Sequence, residues 1–346
     1  MESVFIQRDI EELVSQKEYF EPFVNSSIVV TGATGLIGSI LIKSLIKYGN
    51  IKVYACCRDE NKFNSIFKDY TSDFLIPVYS DILNLDLSDI SYDYVIHCAS
   101  ITDSKTFVEK PVETINIAID GTRNLLSQCL QKKIKGFLYL SSLEVYGSFD
   151  SDSIKNVKES DFGFIDCMSI RSSYSEGKRM VENICKAYQT QYNLPIKVAR
   201  LCQTFGVGVS YTDNRVFAQF ARAAIEEKDI VLKTKGDTVR NYCYITDAVS
   251  GILTILAKGQ IGEAYNIANM QTTISISNMA EMVCDKFGGN KIKLVFDIVE
   301  DVTKLGYNPT VKIQLDSKKL SNIGWHPIVS LEEMFSRLIN YLREGK

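Results

Sequence analysis

The sequence predicts an α/β protein built on a doubly wound parallel sheet, and three observations predict it. Apolar, β-branched runs of strand length alternate with stretches of helical period. The first run, Ile28 to Val30, is continuously apolar, as a strand covered on both faces is. It then enters a turn with Gly32, Gly35 and Gly38 three apart, which opens a helix.

Bulk composition bounds the rest. The chain has 346 residues, 45% apolar and 23% charged, enough for one large α/β domain and a smaller one. A net charge of -3 offers no basic field for nucleic acid. No apolar run approaches the ~20 residues of a membrane span, so no membrane partner is expected. The N-terminus (Glu2, Gln7, Arg8, Asp9, Glu11, Glu12) has no signal-peptide core, and a cytoplasmic location is expected. Nine cysteines, an odd number with no CxxC, read as small buried thiols in strand-like context (Cys56, Cys57, Cys98, Cys202). With two histidines, His97 and His326, no metal site is expected.

In chain order, Ile10, Leu13, Val14 and Phe20 within residues 1–25 form one helical stripe. That stripe suits an accessory helix packed on the main domain, or a partner-binding helix. In the glycine turn, the first glycine permits the bend and the next admits the backbone to a pyrophosphate. The last lets the helix (Leu36, Ile37, Ile40, Leu41, Leu45, Ile46) pack. Thr34, Gly35, Leu36 and Ile37 lie at the helix start, whose free N–H groups and positive dipole end favour phosphate.

Ile51 to Cys57 is the second strand. An acidic residue near its end commonly holds a ribose 2′-hydroxyl, and an arginine accommodates a 2′-phosphate. Arg58 therefore favours NADP over NAD by charge. The alternative is a solvated Arg58, with Asp59 or a main-chain group serving NAD.

Leu75 to Val78 is a third strand ending at Asp81 and Ile82, where Asp81 can meet an adenine ring; capping by the nearby segment Asp86-Leu87-Ser88 is the plainer role. A fourth strand, from Tyr94, ends in the small residues Cys98, Ala99 and Ser100, over which a cofactor can lie. A helical segment with Asn116 follows, and then a fifth strand, Gly136 to Leu140, runs into Ser141, Ser142, Leu143 and Glu144.

Tyr174 and Lys178 are four apart and share a helical face. A free phenol titrates near ~10, too high for a base at neutral pH, and a neighbouring ammonium would favour phenolate. After Ile196 to Leu201, a further strand, the pattern loosens through Arg215 to Phe220 and Ile230 to Leu232. Arg240 to Asp247 then leads into another helix.

Together TGATGLIG, VIHCAS, the serine pair before EVYG, YSEGK and RNYCYITDA resemble the extended short-chain dehydrogenase/reductase family, over about residues 26–330. The resemblance is to its nucleotide-sugar epimerases, dehydratases and decarboxylases. It implies a Rossmann-type fold with a smaller C-terminal substrate-binding domain, tightly held NAD(P), a nucleotide-sugar substrate and a homodimer. The domains expected are 26–202, completed by about 241–266, for the cofactor, and 203–240 with 267–346 for the substrate.

By position, Tyr174 matches the catalytic tyrosine and Lys178 the lysine that lowers its pKa and holds the nicotinamide ribose. Ser142 matches the hydroxyl residue on the reacting oxygen. Glu144 matches an acid/base glutamate of the dehydratase and decarboxylase branches, with orienting Tyr146 or capping as its plainer role. Arg240 matches a phosphate-binding arginine, and Arg215 falls where the family contacts the nucleotide. Gln203 stands where asparagine is usual and Val207 where proline is frequent. Leu143 cannot supply the acid that one group of 4,6-dehydratases uses there.

The activity implied is oxidation at C4 followed by decarboxylation, as in UDP-glucuronate decarboxylases. The alternatives are a 4,6-dehydratase, a 4-epimerase or a 4-ketoreductase. A non-catalytic NAD(P)-binding sensor or scaffold is the competing class. A small-alcohol dehydrogenase leaves the large C-terminal portion without a purpose.

Overall fold

The computed structural model describes residues 2–149, 153–299 and 310–345. Its strands begin with β1 (Ser27–Thr31), β2 (Lys52–Cys57), β3 (Leu75–Tyr79), β4 (Tyr94–His97), β5 (Gly136–Ser142), β6 (Lys155–Val157) and β7 (Ile196–Leu201). They continue with β8 (Gln203–Phe205), β9 (Ile230–Leu232), β10 (Val239–Tyr244), β11 (Ala264–Ile267), β12 (Asn269–Ser275), β13 (Leu294–Phe296) and β14 (Ile313–Leu315). The first helices are α1 (Val4–Ser15), α2 (Leu36–Tyr48), α3 (Glu60–Phe67), α4 (Ser104–Glu109), α5 (Pro111–Cys129) and α6 (Ser173–Tyr192). The later ones are α7 (Val216–Glu226), α8 (Ile245–Lys258), α9 (Ile276–Phe287), α10 (Lys318–Ser321) and α11 (Leu331–Glu344).

Strand apolarity has a direct cause in the layers. On β1, Val29 and Val30 are both fully buried but belong to opposite faces of the sheet. On β5, Leu138 and Leu140 join Ile40, Leu41 and Leu45 of α2 and Val249, Ile252 and Leu253 of α8. Phe137 and Tyr139 join Leu125 and Leu126 of α5 and Val181 of α6 on the other face. Side chains alternate along a strand, so a strand between two helical layers has no face left for polar residues.

The seven-stranded sheet has the order β11-β7-β5-β4-β1-β2-β3, and every pairing is parallel. The chain winds outward from β1 through β2 to β3, then crosses back to β4 and winds the other way. This is the Rossmann-type doubly wound arrangement the sequence predicts. Its reversal opens a crevice at the carboxyl ends of β1 and β4, where such sheets take ligands.

Outside that sheet, β6 and most of the strands after β7 build smaller pieces. They are the sheet β12-β10-β8 and the parallel pairs β13-β9 and β14-β6. Phe205, Phe217 and Phe335 form one aromatic cluster there, with Phe205 and Phe217 stacked at 4.4 Å.

Helix α1 is capped by Ser3 and buries Ile6, Ile10 and Leu13. It also buries Asp9 completely. That carboxylate accepts a hydrogen bond from the Tyr244 hydroxyl and pairs with Arg337 at 2.9 Å and Arg8 at 3.1 Å. Left unpaired, a buried charge of this kind costs several kcal/mol. Among the described residues, no helix is long and apolar enough to cross a membrane.

Candidate active site

The glycine turn sits at the β1/β4 crevice. Gly32 has φ +68°, and a Cβ there would lie 2.8 Å from the Ala99 nitrogen and 2.9 Å from the Cys98 carbonyl carbon. A Cβ on Gly38 would overlap the Gly32 carbonyl oxygen. Gly35 caps α2 without any side-chain bond, so the first N–H groups of the helix, from Leu36 on, face outward unfilled by the chain. Thr34 is half-buried beside them. A cradle that a single Cβ would fill, at a helix start, fits the pyrophosphate of a dinucleotide.

Behind the cradle runs a polar chain that sequence reasoning missed. Thr31 Oγ1 meets His97 Nδ1 at 2.7 Å, and His97 Nε2 meets Thr122 Oγ1 at 3.0 Å. The Ala99 N–H also donates to Thr31 Oγ1, at 3.2 Å. Thr31 and His97 are register partners on β1 and β4, the one signal that would have joined them. Burial pushes the imidazole down to about 3, so His97 is a neutral strut that fixes the crevice wall.

Past the carboxyl ends of β2 and β3, the exposed Arg58 guanidinium lies 3.6 Å from the Asp81 carboxylate. Asp59 is occupied as the cap of α3, accepting the Lys62 N–H at 2.9 Å. Asp81 accepts the Leu83 N–H at 3.0 Å. Ile82 is buried against Gly121. Cys98 and Ala99 form the wall against Gly32, and Ser100 turns its hydroxyl to the Ile101 carbonyl at 3.1 Å. Asn116 stands exposed on α5.

The second half of the site is a corner between β5 and α6. Ser142 accepts the Glu144 N–H at 3.2 Å, and its hydroxyl faces the Tyr174 phenol. The Tyr174 ring stacks on Phe107, with centroids 4.3 Å apart and planes 10° apart. Burial, and then the Glu144 carboxylate, push the phenol above its usual range; the Ser142 hydroxyl and Arg171 pull it back.

Lys178 lies one turn further along α6. Its ammonium donates to the Leu140 carbonyl at 2.7 Å and sits 5.7 Å from the Tyr174 ring centroid. Burial lowers it to about 8, with Glu182, Cys98 and Cys185 acting the other way. The lysine thus stands between the crevice wall and the tyrosine.

Glu144 is held from two sides. Arg171 Nη2 lies 2.9 Å from one carboxylate oxygen, and the Ser175 hydroxyl donates to the other at 3.1 Å. Arg171 and Phe107 were not legible as site residues. The only hint of Arg171 is its position three residues before Tyr174.

The remaining predicted residues lie on β8, on β10 and at the start of α7. Gln203 follows Leu201, the register partner of Ser142, by two residues, and pairs with Tyr242 across β8 and β10. Arg240 is half-buried on β10, and its Nε has no partner among the described residues. Arg215 forks onto Asp213, with contacts of 2.6 and 3.0 Å. A separate cleft of about 460 Å³ lies at the β7–β11 edge, lined by Glu182, Arg200 and Lys319, and holds none of the predicted site residues. Among the described residues, no cluster of His, Cys, Asp or Glu is placed to hold a metal ion.

Comparison with known proteins bears on this geometry. A model of the NAD dependent epimerase/dehydratase family matches residues 28–268. The chain is 27% identical over 327 residues to UDP-glucuronic acid decarboxylase 1 of Xenopus tropicalis, covering 92% of this chain and 72% of that protein. It is 29% identical over 263 residues to a dTDP-D-glucose 4,6-dehydratase of Dictyostelium discoideum, covering 73% of this chain and 59% of that one. Among solved structures, UDP-glucuronic acid 4-epimerase from Bacillus cereus in complex with NAD shares the fold. The TM-score is 0.77 and the identity 24%, over 92% of this chain and 99% of that one.

Proposed function

The chain belongs to the NAD dependent epimerase/dehydratase family, and on that premise we propose that it oxidises a nucleotide-activated uronic acid at C4 and then releases its carboxylate as carbon dioxide. The observation that supports this reading is the meeting of the Ser142 hydroxyl, the Tyr174 phenol and the Glu144 carboxylate at the end of the strand next to the cofactor crevice. Bound NAD(P) supplies the hydride acceptor.

In this reading, Tyr174 takes the O4 proton and Ser142 holds that oxygen. Lys178 holds the nicotinamide ribose from its place between Cys98 and Tyr174. The C4 ketone makes the carboxylate on C5 labile. The C5–C6 bond breaks, its electron pair spreads onto the C4 oxygen, and C5 regains a proton. Glu144 stands beside Tyr174 for a second proton transfer, and Arg240, Arg215 and Gln203 take the nucleotide-sugar phosphates and rim. Residues 26–202 with about 241–266 form the cofactor half, and 203–240 with 267–346 the substrate half. The protein acts as a homodimer, a mass that light scattering reads directly.

The runner-up is 4,6-dehydration. It is favoured by the way Arg171 and Ser175 fix the Glu144 side chain beside Tyr174. Incubation with UDP-glucuronate, GDP-mannose, UDP-glucose and CDP-glucose separates the readings. Carbon dioxide from UDP-glucuronate is the expected result. A 4-keto-6-deoxy product from a neutral sugar, with no carbon dioxide, would put dehydration first; epimer alone would put epimerisation first.

Arg58 bears on cofactor choice. Its guanidinium is 72% exposed at the end of β2, where its charge would suit a 2′-phosphate, and we therefore favour NADP over NAD as the proposed cofactor. Arg58→Ala is expected to weaken NADP binding by about 10-fold, the worth of one exposed charge-assisted contact, and to leave NAD binding nearly unchanged. Calorimetric titration with both dinucleotides checks it. Equal loss for the two would remove the arginine from that role.

A further inference from the structure

We infer that Arg171 is a positioning residue that holds Glu144 and, by neutralising it, lets Tyr174 act as a base beside it. This inference rests on the proposed reading of the site. Three contacts place the guanidinium between the two groups. It bonds Glu144 at 2.9 Å, lies 4.8 Å over the Phe107 ring, and that ring stacks on Tyr174 at 4.3 Å. Its Nε has no acceptor among the described residues. The cation is therefore held by charge and stacking, with one donor left for an oxygen of a bound ligand.

The arrangement solves an electrostatic difficulty. Two acid/base groups in one corner oppose each other's ionisation, because a carboxylate next to a phenol disfavours the phenolate. The groups that face Tyr174 are the Ser142 hydroxyl, the Glu144 carboxylate, the Arg171 guanidinium, the buried Tyr139 hydroxyl and, at 5.7 Å from its ring, the Lys178 ammonium. Glu144 and Arg171 act on the phenol with opposite signs. Removing Arg171 leaves Glu144 uncompensated, and the phenolate becomes harder to form. A base that ionises at higher pH moves the acidic limb of the rate profile upward.

The test uses the whole chain with UDP-glucuronate as probe, following reduction of the nicotinamide by its near-ultraviolet absorbance as pH is varied. Arg171→Gln is expected to move the acidic midpoint up by about one unit, the order of a single nearby charge. Arg171→Lys, which keeps the charge, is expected to stay within a few tenths of wild type. In E144Q/R171Q both charges are gone, and the midpoint is expected to return towards wild type.

Thermal melting without added nucleotide gives an independent readout. R171Q is expected to melt lower, and E144Q/R171Q to recover at least half of that loss, because the double variant leaves no unpaired carboxylate. An unshifted midpoint in R171Q, with a normal melt, would overturn the inference. So would equal midpoint shifts in R171Q and E144Q/R171Q. If R171Q does not fold, the comparison of R171K and E144Q/R171Q with wild type decides: a shift of a unit in both refutes it. Failure of the wild-type chain to reduce its nicotinamide with any sugar nucleotide would instead strike the functional reading.

Discussion

Tyr174→Phe is expected to lower turnover on the order of 10²- to 10⁴-fold, the range for loss of a positioned acid or base. The substitution removes one oxygen and nothing else. The ring stays stacked on Phe107, where its planes are already within 10°, so folding is expected to be nearly unaffected. Dinucleotide affinity is also expected to hold, because the cradle is built by β1, α2 and the end of β4. The measurement is therefore a pair: steady-state turnover of UDP-glucuronate and dinucleotide binding by fluorescence. Lost turnover with retained binding supports the proposed chemistry. Turnover within a factor of two of wild type would remove the phenol from the reaction and favour a protein that only binds the dinucleotide.

A methyl group at position 32 is expected to act at the opposite end of the site. Gly32 has φ +68°, a conformation that costs an L residue about 1–3 kcal/mol. The added Cβ would also press on backbone atoms of Cys98 and Ala99 at 2.8 to 2.9 Å, which cannot swing aside as a side chain can. Gly32→Ala is therefore expected to raise the dinucleotide dissociation constant on the order of 10²-fold and to lower the melting temperature. Dinucleotide titration and a thermal melt check both. Unchanged affinity would mean that the cradle is not where the cofactor sits.

The sheet was legible because its strands are apolar on both faces, a pattern that few other structures impose. Ile28–Val30, Ile51–Cys57 and Gly136–Leu140 therefore stood out without help from their surroundings. The crevice was legible because glycines at 32, 35 and 38 mark places where backbone must touch backbone. Tyr174 and Lys178 could be paired because helical spacing is local.

What lay hidden was long-range. Phe107 reaches Tyr174 from a separate helix, and Arg171 reaches Glu144 across 27 positions. Neither carries a spacing that a single sequence displays. The short strands after β7 were indistinct for a related reason. Runs such as Ile230–Leu232 are too brief to show a period and form only by pairing with a distant segment, Leu294–Phe296.

Asp9 brings a question of timing. Its two principal neighbours, Tyr244 and Arg337, stand 235 and 328 positions further along the chain. A ribosome emits Asp9 together with its neighbour and counterion Arg8, and Arg337 only 328 positions later. Until the later segments are made, Arg8 alone offsets the charge of Asp9, and burying it that early would be opposed by its own hydration. Docking of α1 and docking of α11 are in this sense coupled, because each brings a charge that the other must offset.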